Sequence, residues 1–118
     1  MARDPNCLFC KIVAEEADAD VIATNDQAVA FRDINPQAPT HVLVVPRDHQ
    51  PNVGELAAAD PASLAGVVGL AEQVATSEGL GAHRIVFNTG EDAGRTVFHA
   101  HLHVLGGEQL GLFGRPAH

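Results

Sequence analysis

The chain has no tryptophan and no tyrosine, a single methionine, five phenylalanines and two cysteines in 118 residues. Two cysteines cannot build a disulfide framework, which excludes the stapled secreted scaffolds. Basic side chains are scarce: seven Lys and Arg stand against fifteen Asp and Glu, a formal charge of −8. That balance argues against wide, sequence-independent binding to nucleic acid or to an anionic membrane. It leaves room for one nucleotide held in a local pocket by backbone N–H groups. No apolar run approaches the length of a membrane span, and Met1 to Asn6 lacks the charged-then-apolar pattern of a signal peptide. Repeats, low-complexity runs and linkers are absent. The length suits one domain over residues 1–118 with a core of its own, and the expected location is cytoplasmic.

Histidine is what the chain has in quantity, seven in all. Three occupy alternate positions in Phe98-His99-Ala100-His101-Leu102-His103-Val104. In a strand, successive side chains point to opposite faces. This stretch predicts three imidazoles on one face and Phe98, Ala100, Leu102 and Val104 on the other. Around it, Asn6 is placed to cap a short helix over Cys7 to Glu15, with Leu8, Ile12 and Glu15 on one stripe. Strands are predicted at Val21 to Thr24, Ala28 to Asp33, Thr40 to Pro46, Arg84 to Asn88 and Val97 to Leu105. Asn25-Asp26 reads as a tight turn, and Arg47 to Leu56 as a connection. Asp60-Pro61 is a strong helix start. Leu64, Val67, Val68, Ala71, Val74 and Ala75 then repeat at three and four, up to a stop near Glu78 and Gly79. Gly66 and Gly69 weaken that helix and suggest close packing of another backbone. The whole predicts an α+β fold: a five-stranded antiparallel sheet with one short N-terminal helix and one long helix.

Neutral imidazole carries a nucleophilic nitrogen near pH 7, provided its other nitrogen is held as N–H by a carbonyl or a neighbouring group. His101, the central histidine of the three, has a neighbour on each side and is the candidate nucleophile. The preceding segment, Asn88 to Thr96, is rich in glycine and polar donors. Glycines let backbone N–H groups turn toward an anion, and Thr96 and Asn88 add a hydroxyl and an amide. Donors beside a nucleophile suit transfer at phosphorus. The competing readings are a solvated polar strand face and a structural metal clip.

The run His99-Ala100-His101-Leu102-His103-Val104-Leu105 matches the pattern His-x-His-x-His followed by apolar residues. On it the chain resembles the histidine triad (HIT) superfamily and is most similar to its HINT branch of nucleoside phosphoramidases. Phe31-Arg32-Asp33-Ile34-Asn35-Pro36-Gln37-Ala38-Pro39-Thr40-His41 resembles that family's ribose-binding segment. His101 to Gly107 resembles the HINT continuation rather than that of dinucleoside polyphosphate hydrolases.

The resemblance implies a HIT-like fold and a purine nucleotidyl hydrolase working through a nucleotidyl-histidine. His101 matches the nucleophile, His103 the contact to phosphate and leaving group, and His99 the residue whose carbonyl orients the nucleophile. His41 matches a fourth histidine that relays protons, and Asp33 the carboxylate on the ribose hydroxyls. Phe9, Phe31 and Ile34 match the apolar slot for the base, with Leu8 at another such position. Asn88, Gly94, Thr96 and Val97 match the phosphate side, where Thr96 stands in place of the Ser usual in this branch. On the residues alone, Phe9, Phe31 and Ile34 read equally as core, Asp33 as a turn residue and His41 as a core histidine.

Cys7-x-x-Cys10 spacing suits a metal site or a redox pair. The resemblance to the zinc-bearing bacterial type completes a structural zinc shell with His49 and His99. It also implies a homodimer through the long helix and a sheet edge. Three readings compete with the phosphoramidase: a dinucleoside polyphosphate hydrolase of the same superfamily, a zinc hydrolase whose metal sits on His99, His101 and His41, and a non-catalytic nucleotide-binding protein. The resemblance implies that the tail, here Gln109 to His118 and without Trp, helps shape leaving-group preference.

Overall fold

The computed structural model describes residues 4–90, 93 and 97–111. Five strands form one sheet: β1 (Val21–Thr24), β2 (Ala28–Arg32), β3 (Thr40–Pro46), β4 (His83–Phe87) and β5 (Leu102–Gly106). Their order is β1-β2-β3-β5-β4 and every pairing is antiparallel. Helix α1 (Leu8–Val13) lies on one face; α2 (Val53–Ala59) and α3 (Pro61–Ser77) lie on the other.

Strand alternation divides the molecule into two apolar layers. Ala28, Ala30, Val42, Val44, Leu102 and Val104 face α3, where they meet Val67, Leu70, Ala71 and Val74. Val29, Phe31, Leu43 and Val45 face the other way, onto Phe9, Cys10 and Ile12 of α1. The first layer is the main core. The second carries the histidines.

The predicted β1 and β3 match the structure residue for residue, β2 ends one residue earlier than expected, and β4 is shifted by one residue at both ends. Asn25 closes the β1–β2 turn by accepting from the N–H groups of Gln27 and Ala28 at 2.9 and 2.7 Å. Asp60 caps α3 as expected, accepting from the Ser63 N–H at 3.1 Å and the Ser63 hydroxyl at 2.8 Å. At its other end Gly79 has φ 71°, and the Leu80 N–H reaches back to the Ala75 carbonyl at 3.0 Å. That is a Schellman stop.

Three expectations fail. First, α1 is shorter than Cys7 to Glu15, and its N-cap is Cys7, not Asn6. Glu15 takes φ 62° while the Glu16 N–H bonds to the Lys11 carbonyl at 2.7 Å, so the helix ends in a Schellman turn after Val13. Its buried stripe is Phe9, Cys10 and Ile12, and Leu8 is 53% exposed.

Second, the connection Arg47 to Leu56 contains the start of α2. Asn52 caps it, accepting from the Glu55 N–H at 2.9 Å, and Leu56 is its buried anchor.

Third, ladder bonding at the histidine stretch begins only at Leu102. Continuing the register past Val44–Leu102 would set Pro46 opposite Ala100. Proline has no N–H to extend the ladder. The Ala100 N–H bonds instead to the Gln50 carbonyl at 2.7 Å. Ala100 still joins the α3 layer, but Phe98 is 55% exposed and does not. Among the described residues no helix is long and apolar enough to cross a membrane.

The two glycines of α3 differ. A Cβ on Gly66 would stand 2.7 Å from the Gln27 Cβ, whereas one on Gly69 meets nothing within 4 Å. Gly66 lets the β1–β2 turn approach: the Asn25 side-chain amide donates to its carbonyl at 3.0 Å. Gly66→Ala should therefore cost about 1–3 kcal/mol in urea unfolding. Gly69→Ala should gain about 0.5–1 kcal/mol. A loss at Gly69 would contradict the open space found beside it.

Candidate active site

A cavity of about 370 Å³ opens between α1 and the sheet. Phe9 and Phe31 form its apolar wall, their rings edge to face at 5.5 Å. Asp33 and Ile34 stand at its mouth, where Ile34 is 92% exposed; Asn88 and Val97 line it too. His101, immediately before β5, and His103, its second residue, reach it as well.

Ile12 and Leu43 also line the cavity. Sequence reasoning did not assign them, although both carried a signal. Ile12 lies one turn from Leu8 and Phe9, and Leu43 shares a strand face with His41. Gly94 and Thr96 lie outside the described residues, as do residues 112–118 of the tail.

His101 is buried, packed edge to face on Phe9 at 5.1 Å. Its Nδ1 lies 2.7 Å from the carbonyl oxygen of His99. A carbonyl only accepts, so Nδ1 carries a hydrogen, and in the neutral ring the lone pair is then on Nε2. His103 sits beside it, ring centroids 5.0 Å apart. On the far side, His103 Nδ1 is 2.9 Å from His41 Nε2, which is 3.4 Å from an oxygen of Asp33.

Burial pushes the His103 pKa down to about 4, helped by the neighbouring His101 and His41 and opposed by Asp33. Burial lowers His41 as well, against the pull of Asp33. Both imidazoles are thus neutral at pH 7.

His99 does not face the cavity. Its ring is fully buried on the other side of Phe9, with Nε2 3.0 Å from the Pro46 carbonyl. That acceptor puts the hydrogen on Nε2 and leaves Nδ1 with a lone pair. Nδ1 faces Cys7 Sγ at 3.4 Å, Cys10 Sγ at 3.5 Å and His49 Nδ1 at 3.2 Å; Cys10 Sγ and His49 Nδ1 are 3.4 Å apart.

A tetrahedral shell with Zn–N near 2.0–2.1 Å and Zn–S near 2.3 Å sets neighbouring donors roughly 3.3–3.8 Å apart. These donors fit that size. The Pro46 carbonyl supplies the outer partner that a metal-bound imidazole needs. Burial holds the His99 pKa near 4, so the ring is neutral, as a ligand must be.

The trio His99, His101 and His41 does not converge on one point. His99 faces the cysteines, His101 gives Nδ1–H to a carbonyl, and His41 pairs with His103.

The described residues thus form a histidine-lined cavity and, behind it, a cluster of four residues that could hold a metal ion. A family model described as the HIT domain matches residues 14–110. The purine nucleoside phosphoramidase of Escherichia coli (strain K12) is 38% identical over 106 residues, covering 88% of this chain and 89% of that one. A HIT family hydrolase from Legionella pneumophila is 42% identical, with a TM-score of 0.85 over 90% of this chain and 96% of that one. A zinc-bound histidine triad family protein from Mycobacterium smegmatis is 30% identical, with a TM-score of 0.75 over 86% of this chain and 74% of that one. The chain belongs to the histidine triad (HIT) domain family, alongside its hydrolases.

Proposed function

We propose that this protein is a nucleotidyl hydrolase that cleaves purine nucleoside 5′-phosphoramidates, or related conjugates, at the α-phosphorus. The observation that carries this reading is the 2.7 Å bond from His101 Nδ1 to the His99 carbonyl, at a cavity with an apolar wall and a carboxylate at its mouth. The slot of Phe9, Phe31, Ile34 and Leu8 takes the base. Asp33, with two acceptor oxygens, takes the ribose diol. Asn88 and Val97, with Gly94 and Thr96, attend the phosphate. The name of the Escherichia coli relative supports the purine and the P–N bond.

The chemistry follows from the tautomer. His101 Nε2 forms a bond to phosphorus as the P–N bond breaks and the amine leaves. Water then adds to phosphorus and breaks the N–P bond to His101. Overall the water's hydroxyl ends on phosphorus and one hydrogen on the amine, and His101 returns to its neutral form. His103, neutral and beside the nucleophile, contacts the phosphate and leaving group.

Zinc on Cys7, Cys10, His49 and His99 completes the reading. A closed shell of four protein ligands supplies structural cross-linking and leaves no open position for substrate. The protein works as a cytoplasmic homodimer in this proposal, joined through α3 and a sheet edge.

Replacing His101 with Ala or Gly should lower turnover of a fluorogenic adenosine phosphoramidate by about 10⁴-fold or more with the fold intact by circular dichroism. Retained turnover would exclude His101 as the nucleophile, and tight AMP binding by an inert wild type would leave only a binding protein. Zinc should bind at one ion per chain and raise the melting temperature by about 10 °C or more, an effect lost in Cys10→Ala.

The pH dependence of stability has a definite sign. His103 and His99 stay neutral in the folded chain down to about pH 4, while ordinary histidine charges near 6.5. Between those values the unfolded chain binds more protons, so stability falls as pH falls. Urea unfolding of zinc-free protein should lose about 1.4 kcal/mol per pH unit for each such group, and His103→Gln should remove one share.

A further inference from the structure

We propose that the backbone amide of Gln37 is a positioning group for the reaction, setting His103 as an Nε2–H donor through the ring of His41. The proton assignment stands by itself. Its catalytic consequence rests on the hydrolase reading above.

The chain from Asp33 to His41 folds back on itself. The Asp33 N–H donates to the His41 carbonyl at 3.0 Å. The Asn35 N–H donates to Asp33 Oδ1 at 2.8 Å, and Gln37 Nε2 donates to the Asn35 carbonyl at 2.9 Å. Closed in this way, the loop aims the Gln37 backbone N–H at His41 Nδ1, 3.0 Å away.

An amide N–H can only donate, so His41 Nδ1 must present its lone pair. The single hydrogen of the neutral ring is then on Nε2. Its acceptor there is His103 Nδ1 at 2.9 Å, and Asp33 Oδ2, which also can only accept, lies nearby at 3.4 Å. His103 Nδ1 is thereby an acceptor, and the hydrogen of His103 sits on Nε2. His103 lines the cavity next to His101. It enters the reaction as a donor to oxygen or nitrogen on phosphorus, where negative charge builds, and not as a base.

The same pattern of donors and acceptors decides between two other uses of this cluster. The ligand atoms of Asp33, His41 and His103 lie within 4.8 Å of one another, close enough for a metal. A metal-bound imidazole keeps its other N–H and gives it to an acceptor. At His41 that other nitrogen meets a donor, Gln37. At His99 it meets the Pro46 carbonyl. The geometry therefore assigns a proton to the Asp33 cluster and reserves metal for the cysteine cluster. A relay through His41 would also have to load a second proton on Nδ1, the nitrogen that the Gln37 amide occupies.

The test has two readouts. In protein labelled with 15N at histidine, long-range 1H–15N correlation spectra at pH 7 should show the Nε2–H tautomer for both His41 and His103. An Nδ1–H or imidazolium pattern at either would overturn the assignment. In His41→Gln the carboxamide offers an oxygen to Gln37 and an NH2 to His103, restoring the polarity without a ring that can pass protons. His41→Ala should lower kcat on the adenosine phosphoramidate by about 10²-fold with little change in KM, and His41→Gln should recover at least about tenfold of that. A Gln variant as slow as the Ala variant would sink the proposal in favour of proton relay. Absence of turnover in the wild type would remove the hydrolase reading, while the spectra would still decide the tautomer.

Discussion

Residue 99 joins the two halves of the site. Its carbonyl oxygen holds the His101 ring, and its own ring faces Cys7, Cys10 and His49. The two contacts lie on either side of one Cα. Whatever fixes the imidazole of His99 also fixes the peptide that aims His101. A carbonyl at the end of a free strand would swing with the chain. Here it is pinned by a buried ring bonded to Pro46 and by the bond from the next residue, Ala100, to Gln50. The Cys7, Cys10, His49 and His99 cluster is thus built into the support of the His101 ring, although it lies outside the cavity.

Much of this was legible in the sequence because strand alternation is a strong signal. Thr40 to Pro46 alternates His41, Leu43 and Val45 against Val42 and Val44, and the structure sorts them to opposite faces. The start of α3 was equally clear, since Asp60-Pro61 states both a cap and a first-turn proline. The end of α1 was not. It is set by a Schellman turn on Glu15, a residue with no strong left-handed preference. The early loss of ladder bonds at the histidine stretch depends on Pro46 in a neighbouring strand, which no local window contains. Cys7 and Cys10 could be read as a metal or redox pair. Their meeting with His49 and His99 is a tertiary fact, reached only through family resemblance.

Backbone groups are the least legible part of the site. The Gln37 amide, the His99 carbonyl and the Pro46 carbonyl decide which nitrogen of three imidazoles carries a hydrogen. Each is a main-chain group rather than a side chain. A histidine in the sequence announces an ionisable ring; its tautomer is written by the peptide that faces it.

The division into two apolar layers has a mechanical result. The layer against α3 holds long buried helix faces, while α1 is six residues and keeps only Phe9, Cys10 and Ile12 inside. A patch that small opens at a lower free energy than the sheet beneath it. The α1 side of the cavity wall is therefore held by far less buried apolar surface than the sheet on which it rests.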